Sequence, residues 1–166
     1  MSAQAHAAMD PSVKKAFLNV AAEGAAEAGH PWPEYAACEA ALESAYGQSG
    51  LARNDNNLFG CKQHSHPLYG TVYLPTREFL SGTWVTVEAE FVRYPSYAAS
   101  FKDRIDTLRR LAPLYSHYKA ALAAKTGEGF VTEVSQTWST DPERASKVLA
   151  IYKEMYESQS NHSVSQ

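Results

Sequence analysis

Glu43 is the residue in this sequence best suited to acid–base chemistry. It lies near the end of an alanine-rich segment that predicts a closely packed helix, where the negative pole of the helix dipole disfavours a second negative charge. Leu42 and Tyr46 are close enough in sequence to reduce its hydration. A carboxyl group that keeps its proton near neutral pH can act as a general acid toward a leaving oxygen. An exposed helix glutamate is the alternative interpretation, and spacing alone does not separate the two.

Glu78 is the candidate for a second carboxylate. It precedes the turn of a predicted hairpin, and the order helix, loop, hairpin could fold it over the helix end that bears Glu43. Glu88 and Glu90 alternate with apolar residues and are expected on the solvent-facing side of the return strand. Asp103 stands at the start of a predicted helix, where a negative charge is favourable.

Other chemistries receive little support. Trp84 and Trp138 could stack on sugar rings, as aromatic side chains do, although most aromatic residues belong to a core. Cys61, His64 and His66 match no closed zinc pattern and show no fourth ligand, so no metal is expected. The chain has no nucleophile elbow of a serine hydrolase, no phosphate loop and no dinucleotide fingerprint, and no cofactor is expected.

The elements that must position these residues are mostly helical. Hydrophobic periodicity and capping residues predict six helices. These are a helix from residue 11 to about 24–29, a second from 33 to 47, a third from a Ser96 cap to Pro113, shorter helices at 115–125 and 128–136, and a last helix covering 145–155 after a capping box at 140–143. Residues 49–66 are predicted to form an ordered loop.

A single hairpin interrupts the helices. Period-two alternation at 71–79 and 84–89, with a turn at Ser81-Gly82, predicts two antiparallel strands. The predicted fold class is therefore α+β, mostly helical with one small antiparallel β-hairpin lobe. We expect a flexible N-terminus at 1–10, one domain at 11–157 and a disordered tail at 158–166.

Composition limits the partners. The 166 residues are 45% hydrophobic, enough for one core, and the net charge of -3 argues against binding nucleic acid. No long apolar run or secretory signal is visible, so we expect no membrane insertion and a chain made in the cytoplasm. Cys38 and Cys61 are expected to be buried thiols, with a disulfide as the less favoured alternative.

Two segments of the sequence together resemble the signature of glycoside hydrolase family 73, the cell-wall N-acetylglucosaminidases. They are Ala41-Leu42-Glu43-Ser44-Ala45-Tyr46-Gly47-Gln48-Ser49-Gly50-Leu51-Ala52 and Asn56-Asn57-Leu58-Phe59-Gly60-Cys61-Lys62. The order continues with Thr76-Arg77-Glu78, Tyr94-Pro95-Ser96-Tyr97 and Thr140-Asp141-Pro142, so the resemblance covers roughly residues 12–156.

The resemblance implies a lysozyme-like fold and hydrolysis of the β-1,4 bond that follows N-acetylglucosamine in peptidoglycan. Glu43 falls on the family's catalytic acid and Glu78 on its second carboxylate. The candidate substrate-binding residues are Tyr46, Asn57, Phe59, Trp84, Asp103 and Trp138.

Three departures from the family pattern matter. Ala45-Tyr46 replaces Gly-Trp, Val92-Arg93 reverses the usual order in which arginine follows the phenylalanine, and Trp138-Ser139 replaces Tyr-Ala. An indole can stack on sugar but lacks the tyrosine hydroxyl, which puts a hydrogen bond at that position in doubt.

Two rival functions stay open. A muramidase or lytic transglycosylase would share the fold and the lone glutamate, and a non-catalytic peptidoglycan-binding module would keep only the cleft. We expect a monomer that reaches the wall after release or export, with an immunity or pore-forming protein as a possible partner.

Overall fold

A computed structural model describes residues 8–64 and 69–157 of the chain. Of the predictions above, the tail at 158–166, most of the N-terminal segment 1–10 and His66 lie outside the described residues. Seven α-helices and one two-stranded antiparallel sheet are present within the described ranges. The elements are α1 (Pro11–Glu27), α2 (Pro33–Ser44), α3 (Gly50–Asp55), β1 (Thr71–Leu80), β2 (Thr83–Val92), α4 (Tyr97–Leu111), α5 (Ser116–Leu122), α6 (Gly127–Trp138), α7 (Arg144–Tyr152) and a π-helical segment (Lys153–Glu157). The predicted arrangement, mostly helical with one inserted hairpin, is confirmed.

Helix α2 is the centre of the helical body. It contacts α1, α6 and α7, and its four core alanines are at most 1% exposed. Because alanine side chains are small, the axes of the neighbouring helices can approach the axis of α2 closely. The helix ends at Ser44, three residues before the predicted end, since Ala45, Tyr46 and Gly47 all have positive φ values of 50°, 55° and 77°. The Gly47 N–H donates to Ser44 Oγ over 2.9 Å, which closes this turn.

Two local predictions were wrong. The segment after α2 contains the short helix α3, because Ser49 Oγ accepts a hydrogen bond from the Ala52 N–H at 3.2 Å and caps it. The capping box before α7 does not form. Instead the Asp141 carboxylate accepts from the Glu143 N–H at 2.9 Å and from Lys147 Nζ at 2.7 Å, and α7 begins without a side-chain cap.

The hairpin is anchored to the helical body at its base. The register pairs Thr71 with Val92 and Leu80 with Thr83, and the Val92 N–H donates to the Cys61 carbonyl at 3.0 Å. Arg93, just after β2, forms an ion pair with the nearly buried Asp55 at 3.0 Å. The base is therefore fixed to the loop after α3, whereas Phe79, Leu80 and Trp84 near the tip are exposed.

None of the helices in the described ranges is long and apolar enough to span a membrane.

Candidate active site

Glu43 lies in the last turn of α2 with 25% of its side chain exposed. Its Oε1 accepts a hydrogen bond from Arg144 Nε at 2.9 Å. Arg144 is the first residue of α7 and is 1% exposed. The structure therefore places a partly open carboxyl group against a buried guanidinium, a partner that the sequence analysis did not predict.

The Arg144 guanidinium is itself fixed by two further groups. Its Nη1 lies 2.9 Å from Oε2 of Glu39, which is one helical turn before Glu43 and fully buried. The same Nη1 donates to Ser135 Oγ of α6 at 2.8 Å. Arg104 of α4 binds Glu39 with both terminal nitrogens, at 2.8 and 2.7 Å. We call Glu39, Glu43, Arg104 and Arg144 the charge cluster; it holds two glutamates and two arginines.

The electrostatics of the cluster follow from this pairing. Burial would raise the pKa of Glu39, but the Arg104 and Arg144 guanidinium groups outweigh burial and lower it to about 2. Burial would likewise lower the pKa of Arg144, and the carboxylates of Glu39 and Glu43 reverse this and raise it. Buried ions are tolerated when each is paired, and here each guanidinium group has at least one carboxylate partner.

Two predicted substrate-binding residues surround the cluster. The Arg104 guanidinium lies 4.8 Å from the ring centroid of Phe59 and 4.6 Å from that of Trp138. The two rings meet edge to face at 6.2 Å. Phe59 is 7% exposed and belongs to the core, whereas Trp138 is half-buried at the end of α6.

Tyr46 and Asn57 have other neighbours. The Tyr46 ring packs edge-on against Phe17 at 6.1 Å and lines a cavity of about 160 Å³ beside Lys14 and Met155. The Asn57 side chain is buried and donates to the carbonyls of Cys61 and Val92, both at 2.9 Å. Because both of its amide protons are used in this way, Asn57 holds the loop against the base of the hairpin.

Asp103 belongs to a separate group of side chains at the base of the hairpin. Its Oδ2 accepts a hydrogen bond from the Tyr94 hydroxyl and lies 3.2 Å from His64 Nε2 and 3.8 Å from Cys61 Sγ. Within residues 8–64 and 69–157, no three His, Cys, Asp or Glu side chains form a group that could hold a metal ion. Cys38 and Cys61 are both free thiols; Cys38 is buried as predicted, whereas Cys61 is only partly buried.

The hairpin carries the two remaining candidates. Glu78 Oε1 pairs with Lys62 Nζ at 3.1 Å. Trp84 is 60% exposed near the tip, 5.4 Å from the Phe79 ring, with the Arg77 guanidinium 5.8 Å from its ring. In the part of the chain that the structure describes, no hydrogen bond joins Glu78 to Glu43, and each carboxylate has its own cation.

Sequence reasoning missed three members of the charge cluster and Ser135. A signal existed for Glu39, because residues four apart share one face of a helix and Glu39 precedes Glu43 by that spacing. Arg104 lies within the apolar stripe of Phe101, Ile105 and Leu108, so its burial could have been suspected. Nothing in the sequence near Arg144 indicates that it reaches back across 101 positions to Glu43.

Comparison with known proteins identifies the family. A family model described as mannosyl-glycoprotein endo-beta-N-acetylglucosaminidase matches residues 18–157. The chain belongs to this glucosaminidase family. The resemblance to glycoside hydrolase family 73 is thereby confirmed.

Similar proteins and structures agree with this assignment. An autolysin of Enterococcus faecalis is 30% identical over 89% of this chain, and the exo-glucosaminidase LytG of Bacillus subtilis is 32% identical over 74%. A probable N-acetylmuramidase of Lactococcus lactis is 32% identical over 75%. The chain spans 21%, 43% and 29% of the length of these relatives, respectively.

The catalytic domain of the autolysin Auto from Listeria monocytogenes superposes with a TM-score of 0.77 at 28% identity, covering 95% of this chain and 92% of that one. A C-terminally truncated glycoside hydrolase domain of FlgJ from Salmonella typhimurium gives a TM-score of 0.68 at 26% identity, covering 87% of this chain and 98% of that one. The lysozyme-like α+β fold is confirmed by these neighbours.

Proposed function

We propose that this chain hydrolyses the β-1,4 bond after N-acetylglucosamine in peptidoglycan strands, with Glu43 as the general acid. The observation that carries the proposal is a partly exposed carboxyl group, held at one oxygen by a buried arginine, in a domain of the glucosaminidase family. A fixed carboxyl group is what proton transfer to a glycosidic oxygen needs, because the donor must lie within hydrogen-bond reach of that oxygen.

The reaction begins with proton transfer from Glu43 to the departing oxygen. The C–O bond breaks, and positive charge develops at the anomeric carbon. Two routes can then supply the nucleophile. Glu78 can activate water, with inversion of configuration, or the acetamido group of the substrate can attack first, with retention. In the free protein, Glu78 pairs with Lys62 at 3.1 Å.

The acid assignment is tested by Glu43→Gln. We expect this variant to fold normally and to lose about 100-fold or more of its wall-clearing rate, the usual contribution of a general acid. Glu88→Gln is the matched control, because Glu88 is an exposed hairpin carboxylate outside the site. Turbidity clearing by Glu43→Gln at the wild-type rate would refute the proposal. Glu78→Gln, assayed beside it, reports whether the second carboxylate takes part.

The choice of bond is tested by the ends of the released fragments. Mass spectrometry after borohydride reduction identifies the sugar that carries the new reducing end. Reduced N-acetylglucosamine is expected. Reduced N-acetylmuramic acid would favour the muramidase alternative, which the name of the Lactococcus relative keeps open, and an anhydro sugar would indicate a lytic transglycosylase.

Binding without turnover is the remaining alternative. A binding module would sediment with purified wall and leave its turbidity unchanged.

We propose the cell wall as the place of action. The monomeric state and an immunity or pore-forming partner stay predictions, which size-exclusion chromatography and co-purification test.

A further inference from the structure

The pairing of Glu43 with Arg144 is incomplete on both sides. Arg144 Nε holds Oε1 of Glu43, and no hydrogen bond from residues 8–64 or 69–157 reaches Oε2. On the arginine, Nη2 is buried and has no hydrogen-bond partner among the same residues. A buried donor without an acceptor is costly and calls for an explanation.

The geometry of the guanidinium group explains why Nη2 of Arg144 has no partner. Nε and Nη2 lie on one edge of the planar group, and their N–H bonds match the two oxygens of a carboxylate. Nε already binds Glu43, so Nη2 is beside the carboxyl group whose second oxygen is free. A protonated carboxyl group has one acceptor oxygen available to this edge, whereas a carboxylate offers both.

From this geometry we propose that Arg144 is a positioning residue for Glu43, holding one oxygen while the acid keeps its proton and both oxygens after the proton has left. The inference rests on the proposed function. Arg144 fixes Oε1, so Oε2 is the oxygen that donates its proton to the glycosidic oxygen. The resulting carboxylate turns onto Nε and Nη2, and the C–O bond breaks with its electron pair leaving on the protonated oxygen.

The other members of the charge cluster keep the Arg144 guanidinium in place while Glu43 loses its proton. Glu39 on α2 and Ser135 on α6 hold Nη1, and Arg104 on α4 holds Glu39. On α1, Lys14 lies over the Tyr46 ring at 5.3 Å. Among the described residues, Arg144 is the charged side chain that pairs directly with Glu43.

The test is the pH–rate profile of Arg144→Gln on purified wall. The variant removes the charge and the paired donors, so the acid keeps its proton to higher pH. The alkaline limb of kcat should move up by about 1 pH unit, the lower end of the effect of an adjacent opposite charge. The rate at the optimum should fall, while KM stays within about twofold because Arg144 is 1% exposed and leaves almost no surface for a bound sugar to contact. Arg144→Lys keeps the positive charge but lacks the paired donors of the planar guanidinium group. The alkaline limb of its kcat profile should therefore stay near that of the wild type, while its rate at the optimum falls.

Lys147→Gln is the matched control, since it removes a positive charge from an exposed position on the same helix. Its profile should match the wild type. An Arg144→Gln profile that coincides with both, after correction for the folded fraction, would overturn the proposal and leave Arg144 a structural residue.

A second measurement does not need turnover. The titration of the Glu43 carboxyl carbon, followed by 13C NMR and assigned with Glu43→Gln, should move to higher pH in Arg144→Gln. Should Arg144→Gln fail to fold, Arg144→Met takes its place, because it removes the charge and the donors, keeps most of the side-chain volume and leaves Glu39 paired with Arg104; the titration is repeated there. An unchanged titration contradicts the Arg144 proposal, whereas a shifted titration in a protein whose Glu43→Gln variant still clears wall contradicts only the proposed function.

Discussion

Glu39 is the residue on which the charge cluster depends. It is fully buried and binds both arginines, so its loss leaves buried Arg104 without its carboxylate partner and Arg144 with Glu43 alone. Removing one partner of a buried ion pair is strongly destabilising because the other charge stays buried and uncompensated.

Glu39→Gln should therefore lower the free energy of unfolding by about 3–5 kcal/mol, measured by urea denaturation at pH 7. Glu133→Gln is the control: Glu133 is exposed and pairs with His117 at the surface, where such a pair is worth at most about 1 kcal/mol. Equal losses of unfolding free energy in the two variants would show that the buried ion pairs of Glu39 contribute no more to stability than a surface pair does.

Glu39 also makes the free energy of unfolding depend on pH. The pKa of Glu39 is about 2 in the folded protein, against an ordinary value of 4.5, so the unfolded chain binds the proton more readily. The stabilisation that this carboxylate provides is complete above pH 4.5 and is lost as the pH falls toward 2. Wild-type stability should fall over that range, and the fall should be smaller in Glu39→Gln.

At the scale of elements, the packing of α6 against α2 depends on a glycine. Gly127 is the first residue of α6, and a Cβ placed on it would lie 2.1 Å from Cδ2 of Tyr35. Tyr35 stacks on Tyr152 of α7 with ring centroids 3.9 Å apart, so its ring has little freedom to move aside. Close approach, and not an unusual backbone angle, is what requires glycine here.

Gly127→Ala should cost about 1–3 kcal/mol of stability, the usual effect of overpacking. Gly50→Ala is a matched control, because Gly50 is also the first residue of a helix and nothing lies within 4 Å of its added Cβ. Thermal unfolding of the two variants separates them. A Tm for Gly127→Ala equal to that of Gly50→Ala would contradict the packing argument.

The sequence predicted the longer elements well because their signals are local. Asp10 caps α1 by accepting a hydrogen bond from the Ser12 N–H at 2.8 Å, and Ser96 caps α4 in the same way from Ala99 at 3.1 Å. The short helix α3 was missed because six residues are too few for a periodic pattern. The ion pairs of Glu43 and Glu39 could not be read from the sequence, since contacts 101 and 65 positions apart depend on how the helices pack.

At the scale of the whole molecule, the helical body and the hairpin differ in how they are stabilised. The core cluster is formed by the helices and the segment at Leu58 and Phe59, whereas the strands pair mainly with each other. The tip exposes Phe79 and Trp84 by 59% and 60%, respectively. A segment that has few buried contacts, and whose backbone hydrogen bonds are exposed to solvent, can open locally, and the hairpin tip is such a segment.

Hydrogen exchange should therefore show two levels of protection. Amides near the tip that face β1, such as Val85, should exchange faster than Val92 at the anchored base and faster than the core of α2. If Trp84 stacks on sugar, soluble wall fragments should slow exchange at the tip, because a stacked ring restrains the strands that carry it. Trp84→Ala should abolish that slowing, and Tyr73→Ala, an equally exposed aromatic residue on the same hairpin, should leave it intact. Exchange at the tip that is the same with and without fragments, in an enzyme that still clears wall, would place the sugar-binding surface on the helical body beside Trp138 instead.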